Sequence, residues 1–327
     1  MRAAVQTEKG RIEIREIAAP EPGPGELVVR VRAALTCGTD RKILERGHVK
    51  LAPPLVMGHE FSGEVERTGA GTPFHEGDAV LVGVSGPCGE CAACASGASN
   101  RCVRPERAWG AFAEMIRVPR RVVDANVFRK PPSLPFREAA LLDPLACVVH
   151  GLDRLTPLPE EILVVGAGAI GLLWIAAARA AGIRRVGIVG LGAGRLAVAR
   201  RWGAEVFDRD AGEKAPATAA VVECVGTPDA WQEAFAATVP GGRTLFFGGC
   251  APGTAVALDA AKIHYGETTI LGSYHYRPEE AARAVEWLVA GGLDLDPLFS
   301  GPYGLDELPA LIARSAGRDG IKHVITP

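Results

Sequence analysis

The chain has 327 residues, of which 48% are hydrophobic and 23% charged, and this length favours two globular domains. The formal net charge of −2 offers no basic face to nucleic acid or to an acidic membrane. The first eight residues are too polar for a secretory signal, so the eight cysteines favour metal ligation over disulfides. We therefore expect a cytoplasmic protein that binds neither nucleic acid nor membrane.

The first 130 residues predict a compact β domain. Segments near 11–17, 27–31, 61–65 and 79–84 are short and apolar or alternate apolar with charged residues, as strands do. Clusters of glycine, proline and aspartate separate them. Short strands with frequent turns are typical of a barrel-like arrangement.

A cysteine, a threonine, a histidine and a glutamate lie close together in this β domain, as Cys37, Thr39, His59 and Glu60. Zinc binds thiolate and imidazole, and a catalytic zinc keeps one position open for water or substrate. Cys37 and His59 are therefore candidate ligands of a catalytic zinc. Thr39 would lie beside the open position, where its hydroxyl could hydrogen-bond a substrate hydroxyl.

Four further cysteines follow with the spacing C-x2-C-x2-C-x7-C, at Cys88, Cys91, Cys94 and Cys102. Four thiolates complete a tetrahedral zinc without an open position, which predicts a structural site. The surrounding lobe, at about residues 86–103, has little to pack, so metal ligation would supply its order. Typical ferredoxin runs have a different cysteine spacing from this one.

The stretch 136–152 predicts a helix that contains Asp143 among apolar residues. A lone buried carboxylate is costly, and metal binding offsets that cost. Cys147 lies four residues on, on the same helix face, and is a rival ligand. We favour Asp143 as the third ligand of the catalytic zinc, with Glu60 and Cys147 as alternatives.

A glycine-rich turn follows an apolar strand at 161–165 and precedes a helix that runs to residue 181. Between such elements, G-x-G-x-x-G is the dinucleotide fingerprint, because its glycines admit the pyrophosphate to the backbone and to the helix N-terminus. Strands and helices then alternate to about residue 273, as in a doubly wound parallel sheet. The fingerprint residues are Gly166, Gly168, Ala169, Ile170 and Gly171.

The acid that holds the ribose hydroxyls in such a fold is expected at the end of the second strand, where this chain has Gly190. A glycine leaves room for a 2′-phosphate and removes repulsion, and Arg195 is a possible partner for that phosphate. The sequence therefore favours NADP modestly over NAD. Arg195 on the adenine side or in solvent is the other interpretation.

The chain is organised as domains at 1–150 and 151–273, with a segment 274–327 that returns to the first. Taken together, the motifs resemble the zinc-containing medium-chain dehydrogenases and reductases, the superfamily of alcohol, sorbitol, threonine and glucose dehydrogenases. The resemblance implies an α/β fold, with a GroES-like β-rich catalytic domain and a Rossmann domain for the cofactor. The segments that carry it are Cys37-Gly38-Thr39-Asp40, Gly58-His59-Glu60, the four-cysteine lobe, Asp143-Pro144-Leu145, the glycine turn, Glu223-Cys224-Val225-Gly226 and Ile321-Lys322-His323-Val324-Ile325.

The resemblance also implies roles for individual residues. The catalytic zinc would be held by Cys37, His59 and Asp143, with Glu60 able to enter its coordination, and Asp40 would orient His59. Thr39 would take the alcohol proton. The nicotinamide would lie near Val225, Phe247 and Ser273, and the pyrophosphate near Lys322. Two zinc ions per chain and a homodimer or homotetramer are expected.

The implied activity is hydride transfer between NADP or NAD and the CH–OH or C=O group of a polyol, sugar or secondary alcohol. An NADPH-dependent aldehyde or ketone reductase is the alternative enzyme, and a non-catalytic nucleotide-sensing relative is the alternative of another class. One departure concerns the proton path, because Lys42 stands where many members of the family have a relay histidine.

Overall fold

A computed structural model describes residues 1–47, 51–292, 294–314 and 320–327. Its internal contacts divide the chain into two compact units. The first consists of Met1–Ala146, Tyr276–Gly291 and Leu295–Pro327, and the second of Cys147–His275 and Gly292–Asp294. The domain boundaries expected from the sequence differ from these by a few residues.

The elements of the N-terminal half are mostly short strands. They are β1 (Arg2–Glu8), β2 (Arg11–Glu16), β3 (Leu27–Leu35), α1 (Gly38–Arg46), β4 (Leu55–Val56), β5 (Glu60–Thr68), β6 (Ala79–Val82), β7 (Ser85–Gly86), α2 (Ala92–Ala95), β8 (Glu106–Arg107), β9 (Met115–Val118), α3 (Arg120–Asn126), β10 (Val127–Arg129), α4 (Phe136–Ala139) and α5 (Leu142–Arg154).

Strands and helices alternate in the rest of the chain. The elements are β11 (Glu161–Val165), α6 (Ala169–Ala180), β12 (Arg185–Gly190), α7 (Ala193–Arg201), β13 (Glu205–Asp208), β14 (Thr218–Glu223), α8 (Pro228–Ala236), β15 (Thr238–Phe246), α9 (Ala260–His264), β16 (Thr269–Gly272), α10 (Pro278–Ala290), β17 (Phe299–Tyr303), α11 (Leu308–Arg314) and β18 (Lys322–Ile325). Short 3-10 turns lie at Ser99–Arg101, Asp296–Leu298 and Leu305–Glu307.

The main sheet of the first unit has the strand order β10-β6-β5-β3-β18-β17, and β9 also pairs with β3. Apolar side chains of β3, β5 and β6, such as Val29, Phe61 and Val80, are fully or almost fully buried and form the core of this unit. The C-terminal strand β18 pairs antiparallel with β3, at Val324 opposite Leu35. This pairing brings the last residues of the chain beside the segment that begins at Thr36.

The second unit contains one parallel sheet with the order β13-β12-β11-β14-β15-β16. Its central strand β11 is apolar and almost entirely buried, as expected for a strand covered on both faces. Because all six strands run in the same direction, the loops that follow them meet at one edge of the sheet. The glycine turn, Gly190, Val225, Phe247 and Ser273 all lie at that edge.

The structure confirms the predicted α/β class, with a β-rich unit and a Rossmann-type parallel sheet. The helix predicted over 136–152 is divided, because α4 ends at Ala139 and α5 begins at Leu142. Asp143 therefore occupies the first turn of a new helix instead of the middle of one long helix. None of the described helices is long and apolar enough to cross a membrane.

Gly63 marks the closest approach between β5 and β3. A Cβ atom at this position would overlap the carbonyl oxygen of Arg30, beside the irregularity in the register of the two strands. We expect Gly63→Ala to lower the free energy of unfolding by about 1–3 kcal/mol, because the backbone must shift to admit a methyl group. Urea unfolding measures the change. Gly194→Ala in α7, where a Cβ meets no atom within 4 Å, is the control and should not destabilise. Equal effects of the two changes would contradict the expectation.

Candidate functional site

Cys37, His59 and Glu60 converge in the first unit. Their potential ligand atoms (one sulfur, one ring nitrogen and one carboxylate oxygen) all lie within 4.8 Å of one another. Cys37 caps α1, with the backbone N–H of Thr39 donating to its sulfur at 3.5 Å, while His59 and Glu60 stand at the start of β5. Thiolate, imidazole and carboxylate at this separation suit a zinc ion with one position left for substrate.

Two neighbours fix the ring of His59. Nδ1 lies 3.2 Å from Oδ1 of Asp40, whose Oδ2 accepts the backbone N–H of Cys37 at 3.0 Å. The indole of Trp109 stacks on the imidazole, with 4.6 Å between ring centroids and an interplanar angle of 7°. Because Nδ1 is bound to the carboxylate of Asp40, Nε2 is the nitrogen left for a metal.

The protonation of His59 reflects this setting. Burial alone would lower its pKa, but the carboxylate of Asp40 and the sulfur of Cys37 raise that pKa well above its usual value. In the absence of metal the imidazole therefore favours the charged form. Zinc has to displace that proton, since only neutral imidazole is a ligand.

Glu60 is 1% exposed and forms an ion pair with Lys322, which is equally buried and also donates to the carbonyl oxygen of Thr36 at 3.4 Å. Burial raises the pKa of Glu60 and the charge of Lys322 opposes that rise, while the nearby Asp143 adds to it. Burial alone would lower the pKa of Lys322, but the Glu60 carboxylate raises it above the usual value. The Glu60 oxygens are therefore shared between the Lys322 ammonium and the candidate metal position.

Asp143 does not belong to the group of mutually close ligand atoms, as far as the described residues show. Its Oδ1 accepts the hydroxyl of Tyr276 at 2.7 Å and lies 3.3 Å from the backbone nitrogen of Val84. Cys147 is also outside that group and falls in the second unit. This geometry favours Glu60 over Asp143 as a ligand, because Asp143 is held by Tyr276 while Glu60 adjoins Cys37 and His59, and the third ligand stays a prediction.

Thr39 is exposed in the first turn of α1, two residues after Cys37. Lys42 lies three residues further along the same helix, so both side chains occupy one helix face.

The four cysteines of the lobe form a second cluster. The separations between sulfur atoms are 4.0 Å for Cys88 and Cys94, 3.5 Å for Cys91 and Cys94, and 3.9 Å for Cys91 and Cys102. A tetrahedral zinc with Zn–S bonds of about 2.3 Å places its sulfurs about 3.8 Å apart. Backbone N–H groups of Val103 and Cys94 lower the pKa of Cys91 to about 6, which favours a thiolate. The cluster therefore fits a four-thiolate zinc.

The glycine turn has the geometry that close approach of a ligand to the backbone requires. Gly166 has φ +110°, and Gly168 caps α6, which begins at Ala169 and continues through Ile170. A Cβ atom at Gly171 would overlap the carbonyl oxygen of Gly166, so only glycine permits this packing of helix against turn. The free backbone N–H groups at the start of α6 form an anion site suited to a pyrophosphate.

Gly190 ends β12 and packs against the turn. A Cβ atom there would lie 2.5 Å from the Cβ of Ala167. This contact with Ala167 is a sufficient reason for a glycine at position 190. The presence of Gly190 is therefore weaker support for a 2′-phosphate than it is on sequence grounds alone. Arg195 lies in the first turns of the following helix, α7.

The three residues expected near the nicotinamide follow three successive strands of the parallel sheet. Val225 is 41% exposed and lies over Gly166, where a Cβ would be 2.6 Å from the Val225 methyl. Phe247 contacts Trp174 edge to face at 5.7 Å, and the backbone N–H of Ser273 donates to Phe246. Glu223, which the sequence analysis named only within a segment that carries the resemblance, shapes the loop by accepting the N–H groups of Val225 and Gly226 at 2.5 and 2.7 Å.

The resemblance implied that Lys322 lies near the pyrophosphate. Its described partners are Glu60 and Thr36 in the first unit, and contact with a pyrophosphate remains a prediction. The sequence analysis also missed Tyr276 and Trp109. No local sequence signal marks them. Tyr276 acts on Asp143, which is distant in sequence, and Trp109 acts by packing on His59.

Lys322→Met tests the ion pair in protein freed of metal by a chelator. The variant leaves the Glu60 carboxylate buried without a cation, so we expect the first unit to lose about 3–5 kcal/mol of unfolding free energy at neutral pH. Burial raises the pKa of Glu60 above its unfolded value, so the protonated form supports folding at low pH and this support is lost as pH rises. The loss of unfolding free energy in Lys322→Met should therefore shrink toward acidic pH, as measured by urea unfolding.

Lys322→Arg keeps the charge and serves as the control. A neutral-pH loss below about 1 kcal/mol would contradict a buried ion pair.

Comparisons with known proteins agree with this architecture. The alcohol dehydrogenase GroES-like domain matches residues 23–127, and the zinc-binding dehydrogenase domain matches residues 169–290. D-altritol 5-dehydrogenase of Agrobacterium fabrum is 33% identical, and the alignment covers 84% of each chain. L-threonine 3-dehydrogenase of Streptomyces avermitilis is 32% identical, with 95% of each chain covered.

Solved structures are similar over the full length. A zinc-binding dehydrogenase of Sinorhizobium meliloti bound to NADP has a TM-score of 0.92 and 30% identity, covering 100% of this chain and 99% of its own. Galactitol-1-phosphate dehydrogenase of Escherichia coli has a TM-score of 0.88 and 26% identity, with both chains fully covered. The chain therefore belongs to the zinc-containing medium-chain dehydrogenase superfamily and is a zinc- and NAD(P)-dependent dehydrogenase of the alcohol and polyol type.

Proposed function

We propose that the enzyme interconverts a secondary hydroxyl group and a ketone on a polyol or sugar, at a zinc held by Cys37, His59 and Glu60. The observation that carries the proposal is the convergence of these three side chains, with His59 turned by Asp40 so that Nε2 is left for the metal. A non-catalytic nucleotide-sensing protein would have no use for an intact ligand set of this kind. Reduction of aldehydes or ketones with NADPH is the same chemistry run in the opposite direction.

Glu60 is the third ligand in this proposal, in preference to Asp143 or Cys147. Its carboxylate adjoins Cys37 and His59, and its charge is already balanced by Lys322. Asp143 is engaged by Tyr276 instead. The four-cysteine lobe supplies a second, structural zinc, so that each chain holds two zinc ions.

When bound, zinc supplies Lewis-acid polarisation of a substrate oxygen and the nicotinamide supplies a hydride acceptor. The chain itself positions the substrate and moves its proton. The hydroxyl of Thr39, two residues from Cys37 at the start of α1, would receive the proton of the substrate hydroxyl while giving up its own proton in the same step. The exposure of Thr39 supports release of that proton directly to water, which agrees with Lys42 in place of a relay histidine.

The second unit binds the dinucleotide in this proposal, with the pyrophosphate on the N–H groups of Gly168, Ala169 and Ile170. NADP is the preferred cofactor. Support comes from the lack of an acid at the end of β12, from Arg195 in the next helix and from the NADP-bound relative. Arg195 is the proposed partner of the 2′-phosphate.

The protein is also proposed to be a cytoplasmic homodimer or homotetramer. None of its eight cysteines, all of which the structure describes, forms a disulfide. β16 is an edge strand with mostly exposed residues, and the neighbouring Ile263, Tyr265 and Ile270 are exposed apolar side chains. Such a sheet edge suits association with another copy of the chain.

Metal analysis combined with an activity assay tests the catalytic proposal. We expect two zinc ions per chain, one of which is lost in Cys37→Ser together with all hydride transfer to a panel of polyols, sugars and secondary alcohols. Absorbance of the reduced nicotinamide measures the activity. Cys91→Ser is the matched change in the lobe, and it should remove the other zinc while retaining the metal at Cys37. The proposal would be refuted if the purified protein held a single zinc ion and the Cys37→Ser variant still retained it.

Arg195→Ala tests cofactor recognition. Because it removes a charged partner of the 2′-phosphate, we expect NADPH affinity to fall by roughly 10- to 100-fold and NADH affinity to stay unchanged. Quenching of protein fluorescence gives both dissociation constants. Arg200→Ala, an exposed arginine in the last turn of the same helix, is the control and should change neither. Tighter binding of NADH than of NADPH by the parent protein would refute the preference.

A further inference from the structure

Tyr276 hydrogen-bonds Asp143, which together with Glu60 makes up the two candidate acidic ligands of the proposed metal centre. Its hydroxyl donates to Oδ1 of Asp143 at 2.7 Å and accepts the backbone N–H of Val84 at 2.9 Å. The three residues are all buried, with Tyr276 2% exposed, Val84 6% and Asp143 8%. The hydroxyl is therefore used both as donor and as acceptor, and its direction is fixed.

The backbone is shaped to admit this hydroxyl. A Cβ atom at Gly83 would lie 2.7 Å from the Tyr276 oxygen, closer than such atoms pack. Gly83 itself is anchored by its N–H, which donates to the carbonyl oxygen of Asn126 at 2.8 Å. The contact between Tyr276 and Asp143 thus depends on a glycine at a separate point of the chain.

We propose that Tyr276 is a positioning residue that keeps Asp143 out of direct metal coordination, so that Glu60 completes the ligand set. This inference rests on the proposed zinc at Cys37 and His59. The carboxylates of Glu60 and Asp143 compete for one coordination position at the metal, and each is held by contacts with other residues. Lys322 restrains Glu60 without removing it from the ligand group, whereas Tyr276 and Val84 hold the same oxygen of Asp143. Without the tyrosine hydroxyl, Asp143 loses its shorter hydrogen bond and becomes free to turn toward the metal.

Cobalt substitution reports this change independently of activity, because the visible bands of Co²⁺ depend on its ligands and geometry. The spectrum of the Cys37 site is obtained as the difference between the cobalt-exchanged protein and Cys37→Ser protein prepared in the same way. We expect Tyr276→Phe to shift the visible bands and to tighten cobalt binding by about 10-fold or more, the usual scale for residues that orient metal ligands. Tyr303→Phe removes a hydroxyl elsewhere in the same unit and should leave both quantities unchanged.

Asp143→Asn separates this role from a merely structural one. In the double variant Tyr276→Phe/Asp143→Asn, the shift and the tighter binding should disappear, because the amide does not replace the carboxylate as a ligand. The inference is overturned if Tyr276→Phe leaves the cobalt spectrum unchanged, or if the change persists in the double variant. Should Tyr276→Phe fail to fold, Gly83→Ala displaces the same hydroxyl and has to meet the same two conditions. A parent protein without a thiolate–cobalt band dependent on Cys37 would overturn the proposed zinc site as well.

Discussion

A buried ion pair between the first strand after His59 and the last strand of the chain organises the first unit. Glu60 and Lys322 are 262 residues apart in sequence, yet each has a side chain no more than 2% exposed. Neither charge is tolerable without the other, since an isolated buried ion is far more costly than a paired one. The contact joins the start of β5 to β18, which lies between β3 and β17, and it places a cation beside the candidate zinc ligands.

The two metal centres illustrate opposite ways of building a site. The lobe draws its four ligands from a short stretch, Cys88 to Cys102, whose residues are exposed or only partly buried. A zinc ion there would substitute for a hydrophobic core. The centre at Cys37 is instead surrounded by groups that are buried and already bonded, such as Asp40 under His59 and Lys322 beside Glu60. Much of its ligand geometry is therefore determined by the protein.

Local patterns made much of this molecule predictable. The spacing of the four cysteines, the glycine turn between β11 and α6, and the alternation of strands and helices are short-range signals, and they identified the fold class and the superfamily. Cys37, His59 and Glu60 were candidate ligands on sequence grounds, because Cys37 and the pair His59-Glu60 are each embedded in a short motif, and the structure brings the three side chains together.

What the sequence could not reveal depends on contacts between distant residues. The proposed choice of Glu60 over Asp143 rests on the contacts of Glu60 with Lys322 and of Asp143 with Tyr276, and no sequence periodicity links the residues of either contact. Trp109 was missed because stacking on an imidazole leaves no trace in spacing. A second reason for Gly190, its packing against Ala167, could not be seen from the sequence because it exists only once the turn has folded. The break between α4 and α5 did have a local signal, since Pro144 stands in the first turn of α5, and the prediction of one helix over 136–152 overlooked it.

The arrangement of the chain sets an order for biosynthesis. The first unit begins at Met1 but includes β18, and the whole parallel-sheet unit lies between its early and late parts in sequence. On a ribosome, which adds about 5–20 residues per second, Glu60 emerges long before Lys322. Throughout that interval the nascent first unit contains an acid whose cation has not yet been made. Pairing of Glu60 with Lys322 therefore follows synthesis of the dinucleotide-binding unit, which can be folded by the time the pair forms.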